Sequence, residues 1–367
     1  MKFKEYLLNW YNELSQPIHL EQNPETAALS QNNERNEIFD VLKGIAIILV
    51  IIGHCKEGIP LWPFIYSFHM PLFFFVTGYF LKPRPFQREL TLSFQRLIIP
   101  YSFTAVIICI VVFFKGLSSD SWIDEKFVQD TIIKFLLGYR GGVTPSWLAT
   151  HVGILWFILA MFWARGIVNI LIQRITSIKI LCFLFILLGI LGMILEKNLF
   201  VPYCIPQGLF ASGYIYTGYL IRKFNLLDVV NIKLFFPPLL IFWIYSWSQG
   251  ALGMVYCDAP VGYVFCLLGA FGALLALYTI VDQLFCSKAL LWRIFRFWGR
   301  YSLIVYCVHA IEMDVCNWGA FAVQYDIPLK HFGIFEISIR FAIAFTFMLI
   351  ILKIKPLREH FFQIKSI

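Results

Sequence analysis

DVLKGIAIILVIIGH, residues 40–54, decides how this chain must be read. Its apolar run, Val41 to Ile52, carries Asp40 and Lys43 at the start and His54 at the end. After a short turn comes a second apolar run, Phe64 to Phe80, with His69 inside it. Ionisable residues in hydrocarbon are rare and are functional candidates by default. At about 100° per residue, Lys43 and His54 fall within roughly 20° of each other on a helix, and Asp40 lies within roughly 40° of His54 on the other side. One helix face thus holds an acid, a base and an imidazole, with about 16 Å of helix between Lys43 and His54.

Working outward, the whole chain shares this apolar character. Hydrophobic residues make up 59% and charged residues 14%, against roughly 25% charged in a soluble domain. Apolar runs recur, each near the ~20 residues that cross a bilayer. The expected fold class is all-α: a polytopic, multi-pass integral membrane protein. The runs are continuous and do not alternate, which argues against a barrel. Most of the nine cysteines sit in apolar segments as small hydrophobes, and no CxxC pair points to zinc or redox chemistry.

About ten transmembrane helices are expected, near 39–55, 63–81, 98–115, 153–172, 178–195, 204–221, 233–250, 261–281, 297–313 and 333–354. With the N-terminus in the cytoplasm, cytoplasmic segments hold 22 of the 30 Lys and Arg and the opposite side 8. That bias predicts both termini cytoplasmic. It also accounts for the net charge of +8 without nucleic acid. Residues 1–37 read as a surface amphipathic helix (Phe3, Tyr6, Leu7, Trp10, Leu14) and a polar linker. Residues 38–355 form the membrane domain, and 356–367 a short cytoplasmic tail.

Each polar mark has a chemical and a plain reading. His54 can act as a general base, or sit hydrogen-bonded at the interface. His69 lies in the same half of the bilayer and can face the same cavity, or brace another helix. No third ligand stands near them, so no metal is expected. The basic cluster Lys82, Arg84, Arg88 and Arg96 can hold donor phosphates, bind anionic lipid or fix topology. Trp156 and His309 mark later spans, and His309 can pair with Glu312 three residues on. The loop from Gly116 to His151, with Asp120, Asp124, Glu125, Asp130, Arg140, Trp122 and Trp147, suits a sugar or a membrane interface.

Four motifs carry a family resemblance. They are FDVLKGIAIILVIIGH at 39–54, SFHMPLFFFVTGYF at 67–80, FQRLIIPY with the later LWFILAMF, and GRYSLIVYCVHA at 299–310. In this order they resemble the integral-membrane acyltransferases of acyltransferase family 3, in the branch of the fucose 4-O-acetylase-like proteins. The resemblance implies a ten-span, bacterial-type inner-membrane O-acyltransferase. It implies acyl-CoA, usually acetyl-CoA, as donor substrate, with no permanently bound cofactor. The acceptor it implies is a hydroxyl of a cell-surface glycan or a lipid-linked saccharide precursor. His54 matches the family's essential histidine. Lys43 stands where many members have arginine, and of the family's Arg-x-x-Arg pair only Arg96 carries over.

The candidate catalytic residues are accordingly His54, His69 and Asp40. Lys43, Arg96 and Arg88 are candidates for the donor, and Trp156 and His309 for the acceptor. His54 would take the hydroxyl proton or be acylated itself, and His69 or Thr77 would meet the oxyanion. Two other readings stay open: a transporter or flippase for a glycan or lipid-linked precursor, and an acyltransferase acting on a non-sugar acceptor.

Overall fold

The computed structural model describes residues 37–55, 62–116, 125–148, 151–227, 229–284, 289–325 and 329–364. The amphipathic segment and linker expected before Glu37 lie outside the described residues. Within them the regular structure is helical, with one isolated antiparallel bridge between Gly253 and Asp258.

The helices run α1 Glu37–Gly53, α2 Trp62–Tyr66, α3 His69–Tyr79, α4 Phe86–Ser93 and α5 Ile99–Gly116, with a π-helical turn, Phe94–Ile98, before α5. Next come α6 Glu125–Leu137, α7 Trp156–Arg174, α8 Ile178–Asn198 and α9 Ile205–Lys223. The remainder are α10 Val229–Ser248, α11 Tyr263–Leu284, α12 Leu290–Arg300, α13 Ser302–Val315, α14 Trp318–Gln324 and α15 Leu329–Lys353. By length and composition, five helical stretches suffice to cross a bilayer: Phe86–Gly116, Gly153–Arg174, Ile178–Asn198, Tyr263–Leu284 and Gly333–Lys353. Large apolar side chains stand exposed along α5 (Val106, Ile110, Phe113) and α8 (Ile180, Phe183, Leu187, Ile194). Such continuous stripes suit hydrocarbon rather than water.

Two of the expected spans are interrupted. The apolar run at 63–81 is split by Ser67 and Phe68 into α2 and α3. Pro71 supplies a cause: without an N–H it cannot continue a helix through Ser67, yet it suits a helix's first turn. Side chains satisfy the break. Ser67 Oγ donates to the Phe64 carbonyl at 2.6 Å, and Trp243 Nε1 donates to Ser67 Oγ at 2.8 Å. Similarly, the expected span 297–313 begins in the amphipathic α12 and resumes as α13 after a turn at Tyr301.

Glycine seams let the central helices touch backbone to backbone. Gly44 of α1 faces the Phe295 carbonyl of α12, while Gly299 of α12 faces the Asp40 carbonyl of α1. Gly78 of α3 and Gly218 of α9 meet the Ile215 and Phe75 carbonyls in the same reciprocal way. Small residues at such crossings are how membrane helices gain dispersion contacts without a hydrophobic driving force. Around these seams Phe39, Leu42, Ile47, Phe74, Phe75, Phe210 and Tyr214 are fully buried.

The loop before α4 is also pinned. Asn169 of α7 bonds the Arg84 backbone twice, accepting from its N–H at 3.0 Å and donating to its carbonyl at 2.9 Å. Buried Glu89 takes Arg84, Arg165 and the Ser93 hydroxyl.

A Cβ at either seam collides with main chain that cannot move aside. Gly44→Val and Gly78→Val are each expected to cost about 1–3 kcal/mol or more. Gly166→Ala, which meets nothing within 4 Å, should be silent. Thermal unfolding midpoints in detergent measure the difference.

Candidate functional site

α1 ends at Gly53, and its last carbonyl is claimed from outside. Trp62 Nε1 donates to Gly53 O at 2.9 Å and Tyr66 Oη at 3.2 Å. These bonds fold the α2 segment over the helix end and leave His54 at the edge of a cavity of about 870 Å³. The wall draws on distant parts of the chain. His69 and Met70 come from α3, Arg140 from the segment after α6, Trp156 from α7, the 251–256 loop with Tyr256, and Tyr306 and Met313 from α13.

The orientation of the imidazoles follows from their partners. His54 Nδ1 lies 2.7 Å from the Val50 carbonyl, and His69 Nδ1 lies 2.8 Å from the Ile65 carbonyl. A carbonyl only accepts, so each Nδ1 carries the proton and each neutral ring keeps its lone pair on Nε2. Both histidines line the cavity, and Tyr66 stands edge-on to His69 with ring centroids 4.8 Å apart.

Behind His54 lies a third imidazole. The His54 and His309 rings meet edge to face with centroids 5.4 Å apart. His309 Nδ1 is 2.9 Å from Glu312 Oε2, while its Nε2 is buried without a partner. Glu312 also takes the Trp318 indole N–H and the Arg340 guanidinium, whose other arm reaches Glu336 at 2.5 Å. All four ionisable side chains are buried. Burying a charge costs several kcal/mol unless it is paired and hydrogen-bonded. This cluster meets that demand and holds the His309 ring in one orientation.

The residues singled out in the sequence therefore divide. His54, His69 and Trp156 share the cavity, and His309 backs His54 from within the protein. Asp40 does not join them. It sits about 21 Å along α1 from His54, bonded to Lys43 at 2.7 Å. There it lines a separate cavity of about 1060 Å³ with Glu37, Arg293, Arg296 and Arg300. His54 lies just past the end of α1, and the helix is too long for its two ends to meet. Arg88 and Arg96 are exposed on α4 and the π turn and line neither cavity; Thr77 lines neither. Of the loop from Gly116 to His151, Asp120, Trp122 and Asp124 lie outside the described residues. Asp130 is buried, Trp147 packs on Phe200, and Arg140 reaches the cavity.

Sequence reasoning passed over Arg340 and Glu336, counting the arginine only as a topology charge. Their signal was present: opposite charges four apart inside an apolar run. Trp62, Tyr66 and Tyr256 carried no such signal, because aromatic residues are common throughout this chain. Among the described residues, no group of three or more His, Cys, Asp and Glu is arranged to hold a metal ion.

Comparison with known proteins adds a family. Residues 36–354 match the family described as an acyltransferase domain. A stretch of 161 residues is 30% identical to Nodulation protein NolL of Mesorhizobium japonicum, covering 40% of this chain and 37% of that protein. A stretch of 58 residues is 41% identical to Nodulation protein NolL of Sinorhizobium fredii, 13% of this chain and 16% of that protein. The chain thus spans well under half the length of these curated relatives. No solved structure matches it.

Arg340→Met strands two buried carboxylates and is expected to lower stability by about 3–5 kcal/mol. A cycle with Glu312→Gln should show coupling of at least about 1 kcal/mol, since the second change costs less once the cation is gone. Unfolding midpoints of the four proteins in detergent give the coupling.

Proposed function

This chain belongs to the acyltransferase 3 family, and from that premise we propose that it moves an acyl group, acetyl first of all, from acyl-CoA to a hydroxyl of a cell-surface glycan or its precursor. One observation carries the proposal. His54, at the end of the motif that identifies the family, holds its Nδ1 on the Val50 carbonyl and lines a cavity walled largely by aromatic rings and large enough for a sugar.

The membrane setting assigns the two substrates to opposite ends of α1. Ten crossings, with both termini cytoplasmic in a bacterial-type inner membrane, put Asp40 and Lys43 on the cytoplasmic side and His54 on the far side. The donor's phosphates meet Lys43, whose ammonium Asp40 holds in place, with Arg88 and Arg96 on the same surface. The thioester threads toward His54. The acceptor enters the aromatic cavity, where Trp156 and its neighbours stack against the sugar face.

His54 Nε2 then accepts the proton of the acceptor hydroxyl as its oxygen attacks the thioester carbonyl. The carbonyl carbon becomes tetrahedral, and His69 lies in the same cavity to meet the developing oxyanion. The C–S bond breaks, CoA leaves as its thiolate, and the proton on His54 passes to that sulfur. His309, fixed by Glu312, packs edge to face with His54 and keeps the base in its place. His309 is a positioning residue here, and its closeness to the cavity is how it bears on the acceptor.

His54→Ala should lower acyl transfer by about 10²–10⁴-fold, the usual contribution of a positioned base. Membranes or purified protein given labelled acetyl-CoA and a saccharide acceptor provide the assay. Transfer unchanged by the substitution would take His54 out of the mechanism. A transporter would leave the thioester intact in wild type and variant alike.

A further inference from the structure

Among the described residues that line the cavity beside His54, none is an aspartate or glutamate, and Arg140 is the one lysine or arginine. The guanidinium is held rather than free. Its Nη2 donates to the Tyr256 hydroxyl at 3.1 Å, and its Cζ stands 5.4 Å from the centre of the Tyr256 ring. The Arg140 carbonyl accepts from Gln207 Nε2, which also bonds the Val255 carbonyl and Glu196. Arg140 and Tyr256 are thus clamped to one another through both main chain and side chain.

Among the described residues Arg140 forms no direct ion pair. Of the two nearby carboxylates, Asp314 pairs with Lys134 at 3.1 Å, while Glu196 accepts from the neutral Gln207 amide at 2.9 Å and feels the Arg140 charge without a direct bond to it. Arg140 Nε is buried without a hydrogen-bond partner. Neighbouring His151 has a buried Nδ1 in the same condition. Burial, then the charges of Arg140 and Lys134, hold that imidazole below its usual range, so it stays neutral and adds a hydrogen-bonding group rather than a second cation.

A guanidinium stays charged at any working pH, and its planar fork matches carboxylate and phosphate oxygens. A fixed guanidinium with no direct ion pair among the described residues and a buried, unpartnered Nε, in a cavity lined mainly by apolar and aromatic groups, is arranged to receive such a group. Resting on the acyl-transfer reading of this cavity, we infer that the acceptor is an anionic saccharide, whose carboxylate or phosphate is bound by Arg140 while a hydroxyl of the same molecule meets His54. Tyr256 presets the guanidinium, and the aromatic wall takes the sugar face. Arg140 is then a specificity residue, separate from the donor end of α1.

The full chain in detergent is given labelled acetyl-CoA and one of three acceptors: methyl glucoside, methyl glucuronide or glucose 1-phosphate. Wild type should favour at least one charged acceptor over the glucoside by tenfold or more in kcat/KM. Arg140→Gln should erase that preference, lowering the charged acceptor about tenfold to a hundredfold and changing the glucoside less than twofold. Arg140→Lys should restore part of it. Preference for glucuronide or for the phosphate tells a uronic-type acceptor from a phosphate-linked one. Equal use of all three by wild type, or an equal loss on all three in Arg140→Gln, overturns the inference while leaving acyl transfer standing.

Binding is read separately, by tryptophan fluorescence in the His54→Ala background, since Trp62 and Trp156 line the cavity. Charge-selective binding that Arg140→Gln abolishes, without any transfer by wild type, upholds Arg140 and removes the acyl-transfer reading. Failure of both charged sugars to bind at millimolar concentration overturns the inference outright.

Discussion

An ionised side chain in hydrocarbon must find its counter-charge within the protein, because neither water nor lipid tails supply one. Glu312 is where this chain meets that demand. It receives Trp318, Arg340 and His309 at once, and so ties α13, α14 and α15 together behind His54. Remove the pairing and the helices that back the histidine lose their reason to stay in register. The same rule explains Glu89 at the opposite end of the sequence, buried and matched by Arg84 and Arg165. Each cluster fixes a structural junction: one behind the cavity, the other the loop that leads into α4.

Dispersion supplies what charge pairing cannot. At the two reciprocal glycine seams, backbones approach closely enough that no side chain fits between them. One seam fixes α1 against α12 and the other α3 against α9. Both helices that carry the cavity histidines are therefore held by main-chain contact rather than by adaptable side chains. A base that must meet a hydroxyl within hydrogen-bonding distance gains from such rigid support.

The proposed function rests on how these supports distribute polarity. α1 carries an ion pair at one end and an imidazole at the other, about 21 Å apart, and a separate cavity opens at each end. A transferase working on substrates from two sides of a membrane needs that division. The cavity at the histidine end is aromatic with one arginine, while the cavity at the other end gathers Arg293, Arg296 and Arg300 around Glu37 and Asp40. The two therefore differ in the ligands they favour.

Much of this was legible in the chain alone. Long apolar runs set the all-helical, membrane-like class, and the rarity of ionisable groups in such runs marked His54 and His69 as candidates, which the fold brings to one cavity. His309 and Glu312, three apart, were readable as a pair. The sequence by itself determined what each segment is, because helix period and hydrocarbon solubility are local properties. Only the tertiary structure decided which ends meet. It parted Asp40 from His54, split the run around Ser67 at Pro71, and set Arg140, a loop residue 86 positions beyond His54, into the histidine's cavity. Those outcomes depend on helix crossings and side-chain partners far apart in the chain, which no periodicity encodes.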